Sequence, residues 1–448
     1  MIFPVYIGAW DGVAPTPVIP TITALGSWGT ETELYANAGA VGVITAELDK
    51  GKYLVKAGAD GSANYIFYGL EYNGSSFTES SSALNDGTTN RSSFLMPVST
   101  NLAFGISGDG NWGLYQYTGG TSAVTLVDSG TVTFTYDLDE GQQVLVPLYE
   151  SATDVWVCIF YGENSTSQYP TYIALEVDFS TPATTTVTQL DVYRFTSATY
   201  TGTANGRLSV FGKVSNDYFM AGWYTNRLGN TGRGYLYYIS LSFNTTTETF
   251  TLEKGETTFK STDEYWNGAI GARSEVAHGI TSYFNTNVGM KVNSESTLEC
   301  VLMWARGPSS TASLTSTEFF YLSMASGTGT ITEHDNDSYA LNTRSGLILY
   351  KDGATISDTQ FVWQGQDNDG SGGTRYESYM GYVDFDTSLQ TVAATINTSW
   401  GNVDGVTDMP TDSNQSFFTY DFDKLVGVFR DTVDSNKAKY NVTTITNS

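Results

Sequence analysis

Along this chain, short apolar and aromatic runs alternate with stretches rich in Ser, Thr, Asn, Asp and Gly. No segment carries the 3.6-residue stripe of a long amphipathic helix, so the runs read as strands and the polar stretches as turns. One run type, apolar on consecutive positions, recurs seven times. It reads Lys52-Tyr-Leu-Val-Lys56, Leu102-Ala-Phe-Gly-Ile106, Val155-Trp-Val-Cys-Ile-Phe160, Tyr218-Phe-Met-Ala-Gly-Trp223, Glu299-Cys-Val-Leu-Met-Trp304, Thr359-Gln-Phe-Val-Trp363 and Leu425-Val-Gly-Val-Phe429. The centres, near Val55, Phe104, Val157, Met220, Leu302, Val362 and Val426, are 49, 53, 63, 82, 60 and 64 residues apart. A strand usually precedes each run, as in Val41-Gly-Val-Ile44 or Leu347-Ile-Leu-Tyr350. A third strand follows, such as Tyr235-Leu-Tyr-Tyr-Ile239, and then a Thr-alternating fourth, such as Glu248-Thr-Phe-Thr-Leu252.

Four strands in each of seven such units predict an all-β fold, a single seven-bladed β-propeller of four-stranded blades. A stack of β-sandwiches would not call for seven matched units. The blades fall at about 30–85, 86–135, 136–196, 197–262, 263–340, 341–405 and 406–448. The last unit has three strands (416–423, 424–431, 437–446) before Ser448. Its fourth is expected from the N-terminal segment 1–29, where Pro17-Val-Ile-Pro-Thr-Ile-Thr-Ala-Leu25 has the Thr/apolar alternation of the other fourth strands. Such pairing closes the ring and covers two raw sheet edges.

The last unit also carries a motif. Phe422-Asp-Lys-Leu-Val-Gly-Val-Phe-Arg-Asp431, followed by Lys437-Ala-Lys-Tyr-Asn-Val-Thr-Thr444, resembles one blade of the seven-bladed propellers found in structural proteins of tailed bacteriophages and in some bacterial surface proteins. The Arg-Asp ending is specific to this blade. Elsewhere it has decayed to Ala59-Asp60, Gly108-Asp109 or Ala305-Arg306. The resemblance implies the ring architecture and a structural role in a virion.

Composition narrows the rest. With 21 Lys+Arg against 47 Asp+Glu the net charge is −26, and no basic cluster offers a phosphate-binding surface, so nucleic acid is not an expected partner. Aromatics at 14% set the chain apart from disordered sequences. Two cysteines, Cys158 and Cys300, lie on the dense runs of units three and five and are expected as separate core residues without a disulfide. No apolar run reaches the length of a membrane span, so no membrane insertion is expected. Met1-Ile-Phe-Pro-Val-Tyr-Ile-Gly-Ala-Trp10 has no basic n-region and meets Asp11-Gly12 early, so the expectation is synthesis in a cytoplasm without a signal peptide.

Candidate chemistry is sparse. In Asp367-Asn-Asp369-Gly-Ser-Gly-Gly373, carboxylates at i and i+2 with flexible glycines suit a hard cation. Asp367 and Asp369 are therefore the candidate metal ligands and Ca²⁺ is the one cofactor suggested. A third Asp is missing, and Glu377 stands one residue before the twelfth-position ligand. An ordinary Asp/Asn/Gly hairpin loop is the other reading. Ser107-Gly-Asp109-Gly-Asn-Trp112 resembles the Asp box of sialidase propellers with altered spacing and reads as a turn. His278 and His334 are the only imidazoles: a strand residue and a solvated-loop residue by expectation. No nucleophile elbow, zincin helix or phosphate loop is present. Trp10, Trp28, Tyr169, Trp266 and Trp400 are loop aromatics that would suit sugar stacking or partner docking.

The expected function is that of a non-enzymatic virion structural protein of a tailed phage (tail, fibre or capsid surface). Rigid blades would dock other virion proteins and further copies of the chain, with host-surface glycans as a further partner. A composition that looks extracellular, on a chain without a signal peptide, fits release by lysis. A secreted or cell-surface adhesin or lectin is the alternative, and a carbohydrate-active enzyme the third reading.

Overall fold

A strand buried on both faces sends successive side chains into two different cores, and an unbroken apolar run encodes that situation. The computed structural model of the chain shows it seven times over. It describes residues 19–34, 40–59, 65–87, 94–138, 144–163, 170–196, 207–227, 234–260, 265–266, 291–294, 297–307, 316–339, 344–353, 355–368, 376–386, 388–396, 415–431 and 437–448.

The chain enters with β1 (Ile22–Leu25) and β2 (Thr32–Leu34), both of which belong to the last blade. Blade one is β3 (Ala40–Asp49), β4 (Lys52–Ala59), β5 (Tyr65–Tyr72) and an outer strand in two pieces, β6 (Phe77–Glu79) and β7 (Leu84–Asn85). Blade two is β8 (Phe94–Pro97), β9 (Leu102–Ile106), β10 (Asn111–Gln116) and β11 (Thr125–Thr131). Blade three is β12 (Val144–Ala152), β13 (Val155–Glu163), β14 (Pro170–Asp178) and β15 (Thr186–Arg194). Blade four is β16 (Arg207–Val214), β17 (Asp217–Arg227), β18 (Gly234–Asn244) and β19 (Thr249–Lys260).

Blade five divides its first strand between β20 (Tyr265–Trp266) and β21 (Lys291–Ser294), which pair with opposite ends of β22 (Thr297–Gly307). The residues inserted between β20 and β21 account for the 82-residue spacing seen in the sequence. The blade continues with β23 (Ser316–Ala325) and β24 (Thr330–Tyr339). Blade six is β25 (Arg344–Asp352), β26 (Thr355–Asn368), β27 (Tyr376–Asp386) and β28 (Thr391–Ile396). Blade seven is β29 (Gln415–Tyr420), β30 (Lys424–Asp431) and β31 (Lys437–Asn447), completed on its outer side by β1 and β2. Ile22 pairs with Asn447 and Leu25 with Ile445, while Thr32 pairs with Tyr440 and Leu34 with Ala438. The N-terminal strand therefore closes the ring, as its alternation predicts.

Seven apolar clusters, each shared by two consecutive blades, fill the joints. Leu54 and Phe67 of blade one meet Leu95 and Tyr115 of blade two. Phe104 and Leu114 meet Phe160 and Ile173 of blade three. Val157 and Tyr172 meet Met220 and Leu241 of blade four. Trp223 and Tyr238 meet Leu302 and Phe320 of blade five. Val301 and Tyr321 meet Trp363 and Val383 of blade six. Val362 and Met380 meet Leu425 and Ile445 of blade seven. Val426 and Tyr440 return to Tyr53 and Leu70 of blade one. Each fully buried Val, Leu or Phe contributes roughly 1.5–3 kcal/mol by leaving water. These clusters outweigh any polar contact in holding blade to blade.

Candidate functional site

The described turns that lead from a blade's first strand into its second lie on one face of the ring, here called the hairpin face. On that face the turns of blades six, seven and one meet in a charged network. Lys50, between β3 and β4, places its Nζ 2.7 Å from Asp352 of blade six and also on Asp421 of blade seven. The same ammonium lies 4.8 Å from the centre of the Tyr420 ring. Lys351 of blade six pairs with Glu47 of blade one, and Glu47 also accepts from the Tyr53 hydroxyl at 3.1 Å. Thr419 of blade seven sits between them: its Oγ1 accepts from Lys351 N and donates to Lys351 O, both at 2.8 Å. Burial pulls the Lys50 ammonium down, but hydrogen bonds and charge from Asp352 and Asp421 outweigh it and hold the group above the ordinary lysine range. Blades six and one are not neighbours in the ring, so these two lysines reach across blade seven. The pairing satisfies the charges and holds each of these carboxylates against an ammonium group.

A second pattern runs round the rim. An outer strand has an open edge whose N–H groups need partners. Asp128 of β11 accepts from Thr185 N just ahead of β15, at 2.7 Å. Asp191 of β15 accepts from Phe250 N of β19 at 2.7 Å. Tyr238 of blade four accepts from Ile331 N of β24 at 3.3 Å. Asp335 and Asp337 of β24 accept from Val392 N and Ala394 N of β28 at 2.9 and 2.8 Å. Gln360 of blade six accepts from Ile22 N of β1 at 2.6 Å. In each case the preceding blade caps the edge of the next.

The residues singled out from sequence fare differently. Asp367 lies near the end of β26 with its backbone directly across from Glu377; its side chain and the whole of Asp369 fall outside the described residues. Ser107–Trp112 forms the tight turn between β9 and β10. Asp109 accepts there from Ser107 Oγ and, at 2.7 Å, from Asn111 Nδ2, which makes it a turn-forming residue. His334 is not in a loop. It lies on β24, exposed, with Nε2 2.7 Å from the nearly buried Ser323 hydroxyl, because the strand extends through Glu333-His-Asp-Asn-Asp337 despite its charge. His278 lies outside the described residues, as do Trp10, Tyr169 and Trp400. Trp266 belongs to the short strand β20. Trp28 is half-buried against the cluster between blades six and seven, so it is a packing residue rather than a free loop aromatic. Cys158 is buried, which pushes its thiol up; the Cys300 backbone lies on β22.

Sequence reasoning missed Glu299. Its carboxylate is 1% exposed between blades five and six, where it accepts from the Tyr321 hydroxyl and, at 2.7 Å, from Gln390 Nε2. Among the described residues no group of three or more His, Cys, Asp or Glu could hold a metal ion. No helix is long and apolar enough to cross a membrane, among the described residues.

No family model and no curated protein matches the chain. Solved structures align along most of its length at low identity. A Dyadobacter fermentans protein of unknown function aligns at 8% identity and TM-score 0.41, over 93% of this chain and 98% of that one. An α-L-arabinofuranosidase of Fusarium graminearum aligns at 9% identity and TM-score 0.39, over 94% and 97%. The Dos1 propeller aligns at 9% identity and TM-score 0.40, over 94% and 95%. The seven-bladed assignment rests on the sheets and clusters of this chain.

Proposed function

We propose that this propeller is a non-enzymatic docking platform and that its setting is the particle of a tailed phage, as a tail, fibre or capsid-surface component. The observation that carries the reading is how seven of the described carboxylates are employed. Asp128, Asp191, Asp335 and Asp337 cap the next blade's edge, and Asp352, Asp421 and Glu47 are paired with lysines. Polar chemistry here stiffens a frame, as suits a protein that presents loops to partners. The blade-seven motif, which resembles phage structural propellers, supplies the setting. Docking partners would be other virion proteins and further copies of the chain.

Peptide mass spectrometry on density-gradient-purified particles, with copy number measured against a capsid subunit, tests this. Banding with the particles is the expected result, and the copy number separates a tail component from a shell decoration. A protein that stays in the soluble fraction overturns the reading. Glycan-array binding with and without a Ca²⁺ chelator would then test the adhesin alternative.

A further inference from the structure

We infer that blade seven is a latched blade: the ion pairs between its two flanking blades hold its hairpin turn in a strained shape, and ionic strength tunes how readily the blade opens. Three observations meet at one turn. Blade seven is the one described sheet that joins N-terminal strands to the C-terminal ones, so it can separate along the β1–β31 and β2–β31 ladders without stretching any turn within the blade. Its first turn carries two consecutive non-glycine residues in the left-handed region, Asp421 at φ 54° and Phe422 at φ 58°. The turn runs over Asp421, Phe422 and Asp423 between the paired Tyr420 and Lys424. Left-handed positions in hairpin turns usually fall to Gly or Asn, and a bulky Phe in that region is strained unless its surroundings hold it.

The surroundings do hold it, from both sides. Lys50 of blade one pairs with Asp421, and Asp352 of blade six, itself 2.7 Å from Lys50, accepts from Asp421 N at 3.2 Å. Phe422 O accepts from the Tyr350 hydroxyl of blade six at 3.1 Å and from Asn447 Nδ2 at 2.9 Å. Lys351–Glu47 spans the same gap independently. The apolar clusters on either side of blade seven set the baseline for opening, because they bury far more than the lysines contribute. The ion pairs set the response to salt. Lys50, Asp352 and Asp421 are 35%, 30% and 45% exposed, so dissolved ions reach them. The same salt screens the self-repulsion of a chain of net charge −26, which favours compaction of the rest of the ring. Salt should therefore act with opposite sign on blade seven and on a blade such as three.

Hydrogen exchange of the full chain by mass spectrometry, in 50 mM and 1 M NaCl, tests the latch. Peptides from β29, β31 and β1 are compared with peptides from β13 and β14. In the unaltered chain the blade-seven peptides should exchange about two- to fivefold faster at high salt, the range expected for partly exposed ion pairs. Blade three should not follow. In the K50M/K351M double variant, blade seven should exchange fast at both salt levels. A uniform salt response across the two blades overturns the proposal, as does a salt acceleration of blade-seven exchange that survives in the double variant. The salt series on the unaltered chain decides the matter alone if the variant fails to fold.

Discussion

Gln360 grips Ile22 as a neighbouring strand would: its side-chain carbonyl accepts from Ile22 N at 2.6 Å and its amide donates to Ile22 O at 3.3 Å. The two residues are 338 positions apart and belong to different blades. The amide also donates to Asp384 at 2.5 Å, which fixes its orientation. Beside them Ile22 and Leu25 bury their side chains against Val362 and Met380. Ring closure thus has an apolar part shared with every other joint and a polar key of its own.

Gln360→Leu should remove that key. It leaves both main-chain groups of Ile22 without their buried partner, at about 1–3 kcal/mol for each unsatisfied group. The expected loss is roughly 2–4 kcal/mol, read from urea denaturation. Thr23→Ala is the control, since Thr23 sits on the same strand and gives only an exposed bond to Thr446 O; it should change stability by less than about 0.5 kcal/mol. Equal effects from the two would show that Gln360 is incidental to closure.

Gly222 is packed under the Tyr172 hydroxyl so closely that a Cβ there would lie 1.7 Å from the oxygen. Gly222→Ala should cost about 3 kcal/mol, at the high end for overpacking. Tyr172 is fully buried and its hydroxyl has no hydrogen-bond partner among the described residues, so Tyr172→Phe alone should be near neutral. The double variant should recover part of the loss, because the ring carbon remains 3.0 Å from the new methyl. Strict additivity of the two changes would refute the contact.

Much of this was legible from the chain, for a physical reason. Phe361 and Trp363 face blade five while Val362 faces blade seven. A second strand with a core on each side is apolar on consecutive positions wherever both faces meet a cluster, and that density is visible in sequence. The alternation of an outer strand such as β28, buried at Val392 and exposed at Thr391 and Ala393, is visible for the complementary reason. Lys50–Asp352 was not legible. The partners are brought together only once the ring has closed, and nothing near either marks the other. Glu299 was hidden too, because its partners Tyr321 and Gln390 come from another strand and another blade. His334 misled by its setting: a run of charged and polar residues reads as a loop, yet on an outer strand those residues face water and cap a neighbour's edge.

That capping makes a prediction on the rim. Asp335 and Asp337 serve Val392 N and Ala394 N two residues apart, so their alternation matches the period of the edge they cover. Replacing both with Ala should cost about 1–3 kcal/mol in total, given partial exposure. Amide exchange at Val392 and Ala394 should accelerate while Met380 and Val383 on β27 stay protected. Replacement with Asn, which keeps an acceptor oxygen, should cost less. Unchanged exchange at β28 in the double Ala variant would show that water serves those groups equally well.

Alkaline pH should unlatch the aromatic joints. Burial, and after it the neighbouring Tyr440, Tyr420, Asp423 and Asp421, pushes the Tyr72 hydroxyl up to about 12. Burial, with Glu248 and Glu176 behind it, raises Tyr149 to about 12 as well. Burial also raises Tyr53, Tyr172 and Tyr218. In the unfolded chain a tyrosine ionises near 10. A folded-state value above that means the unfolded state loses its proton first, so stability is complete below about pH 10 and falls as pH rises toward 12. The urea midpoint should therefore be flat from pH 8 to about 9.5 and then decline. Tyr72 is 2% exposed and its hydroxyl has no partner among the described residues, so Tyr72→Phe should leave the neutral-pH midpoint almost unchanged and make the alkaline decline shallower. An identical alkaline slope in the variant would mean that Tyr72 ionises in the folded protein as freely as in the unfolded one, and that the joint between blades seven and one admits water.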